Sequence, residues 1–295
     1  MAPELAARVL QELEGTPLAE VIPSTLGEPL LWGGLDALVD ACAARRLALN
    51  VTTNGTFPGR GAAAWARRLV PVASDVKISW NGASASTAQA VMAGLDFEAA
   101  KEDVRVFVAE RDGHARRGGR RCRVSFQVTA QEANAGELGE IVRLAAALGV
   151  DRVKVNHLQV RLPALAASSL RRDAAALRRW NAAVASMRAA AQEARLPSGE
   201  RVLLENVEPL AEDPASPAPL GPCRFVGKEA WVHFDGRFAP CPHPAASTGE
   251  LGDFGSAAER TMGELWRGEA FRRFVERHEE HPVCRACAFR RVGGA

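Results

Sequence analysis

Four of the six cysteines lie between residues 223 and 295, spaced Cys223-x17-Cys241-x42-Cys284-x2-Cys287. In a reducing compartment such a cluster points to a metal rather than to disulfides. A C-x2-C turn brings two thiolates to one centre, and four thiolates hold either one zinc ion or one [4Fe–4S] cluster. The spacing by itself does not choose between them. His243, in Cys241-Pro-His-Pro, is a further donor, but beside four cysteines it reads as a supporting or surface group. Cys42, in an Ala-rich helical stretch, and Cys122, at the start of a strand, read as ordinary buried thiols.

These cysteines need elements to present them. Residues 229–241 (EAWVHFDGRFAPC) read as a β-hairpin turning at Asp235-Gly236, with Cys241 at its exit. A helix-like stretch at 262–279 leads to Cys284. Upstream, residues 209–222 (PLAEDPASPAPLGP) are rich in proline and small residues and read as a linker. The remainder alternates short apolar strands with longer amphipathic helices, the pattern of parallel βαβ units. Strands are expected near 20–25, 48–53, 75–80, 122–129 and 152–158. Helices are expected at 3–14, 34–46, 60–70, 87–94, 97–109, 134–148 and 173–195.

Side chains alternate between the faces of a strand. One face carries Leu49 and Val51; Val76 and Ile78; Val124, Phe126 and Val128; Val153 and Val155. The other carries Asn50, Thr52 and Asn54; Lys77 and Ser79; Ser125, Gln127 and Thr129; Lys154 and Asn156. Parallel strands buried on both faces read as continuous apolar runs. A polar face on four consecutive strands therefore implies a wet lumen that takes polar ligands, with a sheet solvated on one face as the alternative.

Hydrophobic residues make up 47% of the 295 and charged residues 24%, as in ordinary globular proteins. The net charge of +2 argues against electrostatic nucleic-acid binding. Only four of the 37 basic residues are Lys, a bias that fits codon usage rather than phosphate recognition. The run Arg111–Arg123 reads as a solvated loop, with anion contact as the alternative. No run of 18 apolar residues suggests a membrane span, and Met1-Ala-Pro-Glu opens no secretory signal. A cytoplasmic location is the resulting expectation.

The tail resembles the twitch-type, or reduced SPASM, auxiliary-cluster domain of radical S-adenosylmethionine (SAM) enzymes. In that domain a Cys, a Gly-x4-Cys hairpin and a later C-x2-C pair enclose one [4Fe–4S] cluster. Gly236–Cys241 and the bridge LGDFGSAAERTMGELWRGEAFRRF fit the pattern, with spacing close to that of aminocyclitol dehydrogenases. Upstream, Gly27-Glu28-Pro29 resembles the superfamily's GGEP turn, with Leu26 in place of its first glycine. Thr53-Asn54-Gly55 resembles its TNG segment, and Ser79-Trp80-Asn81-Gly82 its S-x-D-G element. Gln127-Val-Thr129 followed by Asn134, and then Val153–His157, are similar to its next two strands.

The resemblance implies an α/β fold: a partial (β/α)6-type radical SAM barrel lacking its first βα unit, plus a small C-terminal cysteine-rich α+β domain. The implied domains are 1–208 (barrel), 209–222 (linker) and 223–295 (auxiliary iron–sulfur domain). It implies that Gly27 and Glu28 hold the methionyl end of SAM and Ser79 the ribose, with Asn54 and Gln127 shaping the pocket. Lys77, Lys154, Asn156 and His157 become candidate substrate contacts, with a buried pair with a carboxylate as the alternative for Lys77 and a structural hydrogen-bonding role as that for His157. The implied activity is that of a radical SAM oxidoreductase or modifying enzyme acting on a peptide or small metabolite. An electron donor such as a flavodoxin or ferredoxin would serve it, with no nucleic-acid or membrane partner.

One departure qualifies this. The superfamily's C-x3-C-x2-C loop, which holds the SAM-cleaving cluster, is absent from the sequence. Either an upstream segment supplies it, and with it SAM and a second [4Fe–4S] cluster, or the protein is a non-catalytic iron–sulfur or zinc scaffold derived from the fold. As given, the chain is not expected to cleave SAM.

Overall fold

The computed structural model describes residues 1–23, 27–160, 162–211, 222–287 and 289. The chain forms two compact units. One holds Met1–Leu18, Asp36–Ala41 and the described part of Ala215–Ala295; the other holds Ala19–Leu35 and Cys42–Pro214.

In chain order, the elements begin with α1 (Pro3–Glu12), β1 (Glu20–Val21), α2 (Leu35–Arg45), β2 (Ala48–Thr53) and α3 (Gly61–Leu69). There follow β3 (Ala73–Ser79), α4 (Ala85–Val91), α5 (Phe97–Arg116), β4 (Arg123–Ala130), α6 (Leu138–Ala147) and β5 (Arg152–His157). Next come α7 (Ala174–Glu193) and β6 (Leu203–Glu205). Strands β1 to β6 form one sheet in sequential order, every pair parallel. Right-handed crossovers that always step to the next position keep their helices on one face. That face is the apolar one: Leu49, Val51, Val76, Ile78, Val124, Phe126, Val128, Val153 and Val155 are all buried.

Side-chain caps set the helix starts. Asp96 accepts from the Ala99 amide at 3.0 Å for α5, and Asp173 from the Ala176 amide at 2.7 Å for α7. The five expected strands and seven expected helices are all present, with β1 reduced to two described residues. Residues 24 and 25 of that expected strand lie outside the described residues. Strand β6 was not expected; three residues are too few to show a period.

One expectation is corrected. The basic run is not a solvated loop, because α5 extends to Arg116 and Arg111 is buried. Arg111 pairs with Asp112 at 2.6 Å and with Asp151, and donates to the Gly149 carbonyl at 2.8 Å. Arg120 donates to the Val72 carbonyl at 2.9 Å, and Arg121 lies 2.8 Å from Asp151. The run is stapled to the bottom of the sheet.

The compact units group the N-terminal residues differently from the expected domain bounds. Met1–Leu18 groups with the tail rather than with residues up to 208. The apolar stripe Leu5, Val9 and Leu13 of α1 packs against the tail's core, and Glu12 accepts from the Met262 amide at 2.8 Å. The start of the expected linker is also tied down: Asn181 of α7 donates to the Leu210 carbonyl at 2.9 Å. Residues 212–221 of that linker lie outside the described residues.

Asp151 also accepts from the Val124 amide at 2.8 Å, so its removal would leave a buried guanidinium and a strand amide short of a partner. Asp151→Ala is expected to lower the stability of the second unit by about 3–5 kcal/mol, read by urea denaturation against wild type.

Candidate metal centre

The first unit continues with β7 (Trp231–Val232) and β8 (Phe238–Ala239), an antiparallel hairpin. Four short helices follow: α8 (Pro244–Ser247), α9 (Met262–Trp266), α10 (Glu269–Arg277) and α11 (Pro282–Arg285). The hairpin turns at Asp235-Gly236 as its sequence predicts. Gly236 sits at φ 91°, and a Cβ there would come within 3.2 Å of Ala258. The single helix expected over 262–279 is instead two, interrupted at Gly268, which caps α10 in an extended conformation.

The hairpin's exit presents Cys241, and α11 carries Cys284 with Cys287 just beyond it. All four predicted cysteines line one cavity. Phe225, Val226, Leu251, Val283 and Phe289 supply its apolar wall. Burial pushes the Cys241 thiol up to about 12. The nearby Cys284, Cys223 and Cys287 add to that rise, while the backbone N–H of His243 opposes it. At neutral pH the metal-free thiol is therefore protonated, and ligation would displace that proton.

Histidines frame the cysteines without replacing them. Nδ1 of His243 accepts from the Ala245 amide at 3.1 Å and starts α8; Nδ1 of His281 accepts from the Val283 amide at 3.3 Å and starts α11. His278, a residue the sequence did not single out, also lines the cavity. Its Nδ1 lies 2.9 Å from the Val275 carbonyl, and its Nε2 is buried without a hydrogen-bond partner among the described residues. Cys42 and Cys122 are buried in the second unit, where burial raises their thiols to about 11 and about 12.

In the second unit the predicted residues fall on the polar face and the loops at its C-terminal edge. The Glu28 carboxylate accepts from the Leu30 amide at 3.1 Å, the Thr53 hydroxyl at 2.8 Å and the Asn54 amide at 2.6 Å. The loop after β1 and the loop after β2 are thus joined through one side chain. Asn54 is exposed beyond the end of β2 rather than on the strand face. Gly27 takes φ 86°, and a Cβ on Gly55 would meet Ile78 at 2.8 Å. Ser79, Gln127, Lys154 and Glu205 share one rung across β3 to β6.

Lys154 is paired with Glu205 at 2.8 Å, Asn156 accepts from Asn206 at 3.3 Å, and His157 sits edge-on to Trp180. The substrate candidates are therefore partly engaged by the protein itself. The polar face also holds an ion network that sequence reading missed. Arg152 joins Asp75 to Glu205, the latter at 2.6 Å, and Ser125 donates to Asp75 at 2.8 Å. Asp75 and Arg152 share the strand parity of Lys77 and Lys154, so the same period of two marks them. Glu205, on a three-residue strand, carries no such signal.

Residues 223–288 match the model of the SPASM family, an iron-sulfur cluster-binding domain. The tail is of the SPASM type. The chain as a whole shares its fold with solved structures far from it in sequence. SuiB from Streptococcus suis shares it in structures bound to the precursor peptide SuiA and to S-adenosylmethionine. Both give a TM-score of 0.64 at 15% identity, covering 98% of this chain and 63% and 65% of the SuiB chains. The chain thus spans a little under two thirds of SuiB's length. The structure of anSMEcpe with bound AdoMet gives 0.62 at 14% identity, covering 98% of this chain and 79% of that one. No curated protein sequence matches the chain.

Single Cys→Ser changes at 223, 241, 284 and 287 are each expected to abolish or sharply reduce metal loading. Cys42→Ser and Cys122→Ser should leave it unchanged. Metal per chain by elemental analysis reads both outcomes.

Proposed function

We propose that Cys223, Cys241, Cys284 and Cys287 hold one [4Fe–4S] cluster, and that the parallel sheet is the SAM-binding part of a radical SAM enzyme that modifies a peptide or small metabolite. The observation that carries this is the convergence of four cysteines on one apolar-walled cavity in a SPASM-type tail. A zinc tetrathiolate, with Zn–S bonds near 2.3 Å, draws its sulfurs into a tight knot. Four cysteines sharing an apolar-walled cavity in a tail that matches an iron-sulfur cluster-binding domain favour the iron–sulfur core.

When bound, such a cluster supplies a one-electron redox centre. The chain's own part is to hold and dry it. Phe225, Val226, Leu251, Val283 and Phe289 keep water from the thiolates, which favours the less charged oxidation state. In the second unit, Glu28 orders the loops that would receive the methionyl end of SAM, and Gly27 leaves its backbone open there. Ser79 and Gln127, side by side on one rung, would face the ribose. Lys77, Lys154, Asn156 and His157 remain the candidate substrate contacts. The bound precursor peptide in the SuiB structure supports a peptide as substrate.

The cleavage of SAM needs a further cluster for which these 295 residues offer no C-x3-C-x2-C loop. Glu28 is already engaged by three internal donors, and that observation favours the second reading, a non-catalytic iron–sulfur scaffold.

Protein purified without oxygen should carry about four irons and four sulfides per chain; one zinc and no sulfide would overturn the cluster. Calorimetric titration with SAM tests the second unit. Wild type should bind saturably, and Glu28→Gln should weaken binding at least tenfold, about 1.4 kcal/mol. An iron-loaded wild type that binds no SAM would leave the scaffold reading standing.

A further inference from the structure

The ion network on the polar face leaves two buried groups out. Lys77 is only 9% exposed, and among the described residues its ammonium makes no hydrogen bond or ion pair. The charges around it are Lys154, Asp75, Arg152 and Glu20. The three acids among and beside them are otherwise occupied: Asp75 by Ser125 and Arg152, Glu205 by Arg152 and Lys154, and Glu20 by the Ser74 hydroxyl at 2.8 Å. Asn50 is also 9% exposed, and its Oδ1 is buried without a donor. The register sets Asn50 opposite Asp75 and Lys77 opposite Thr52, so Asn50 and Lys77 lie one rung apart on the same face of β2 and β3.

A buried acceptor lacking a donor is unfavourable, and a largely enclosed cation with no acid of its own attracts an anion. They remain as neighbours when a third group completes both. We infer that Lys77 and Asn50 form a subsite for a carboxylate that carries an adjacent hydroxyl or amine. The carboxylate accepts from the Lys77 ammonium, and the hydroxyl or amine donates to Asn50 Oδ1. Burial and the neighbouring Lys154 hold the Lys77 ammonium below its usual value, so an anion beside it would offset that cost. This inference rests on reading the sheet as a ligand-binding barrel and does not depend on the cluster.

The chain has only four lysines, so their ¹⁵Nζ resonances can be resolved and assigned in the full-length protein. The probes are glycolate, acetate and glycolamide. Glycolate should shift the Lys77 resonance saturably, acetate should do so about tenfold more weakly, and the neutral glycolamide should not. Asn50→Leu should bring glycolate down to the level of acetate. A Lys77 resonance that ignores glycolate, or follows glycolamide equally well, overturns the subsite without any variant. Iron analysis of the same sample separates the two claims. Saturable glycolate binding in a zinc-loaded preparation overturns the cluster and keeps the subsite; an unmoved resonance in an iron-loaded one overturns the subsite alone.

Discussion

The tail depends on holding together sulfurs that are far apart in sequence. Forty-two residues separate Cys241 from Cys284 and seventeen separate Cys223 from Cys241. The regular structure between them is slight: a hairpin of two-residue strands and four short helices. Closing such loops costs chain entropy that grows with their length, and so small a region buries little apolar surface of its own. An inorganic centre bonded to all four sulfurs would fix these loops at once. The docking of Leu5, Val9 and Leu13 of α1 on the same core adds apolar area from outside the cysteine segment.

The second unit meets a different constraint. Its strands bury one face completely under helices and keep the other polar, which parallel sheets seldom do without a ligand to receive. Much of that polar face is closed by pairing among Asp75, Ser125, Arg152, Lys154 and Glu205. What remains is narrower than the whole lumen: the rung of Ser79 and Gln127, the loops ordered by Glu28, and the buried pair of Lys77 and Asn50. Function in this unit is better sought in those unsatisfied groups than in polarity as such.

The strand period and the cysteine spacing were legible because each is a local pattern. Val51, Val76, Val124 and Val153 alternate with polar neighbours and therefore declare their face before any packing is known. The Asp235-Gly236 turn declares itself because the backbone there needs a glycine. Contacts between distant segments were not legible. Nothing near Arg111 in sequence indicates that Asp151 will neutralise it, so a buried structural cation read as part of a solvated run. Nothing in α1 indicates that its apolar stripe belongs to a core more than 200 residues away. Gly268 breaks a helix that hydropathy alone would have continued, because its extended backbone ends one helix and caps the next. His278 stands on the cavity wall for the same reason of distant packing.

The most direct test of the central claim is a Mössbauer spectrum of the protein loaded with ⁵⁷Fe and sulfide under anaerobic conditions. A single tetrathiolate-bound [4Fe–4S] centre predicts one cluster signal accounting for about four irons per chain, lost when Cys241 is replaced by serine. Iron present only as unbound mononuclear species, with zinc on the four sulfurs instead, would contradict it.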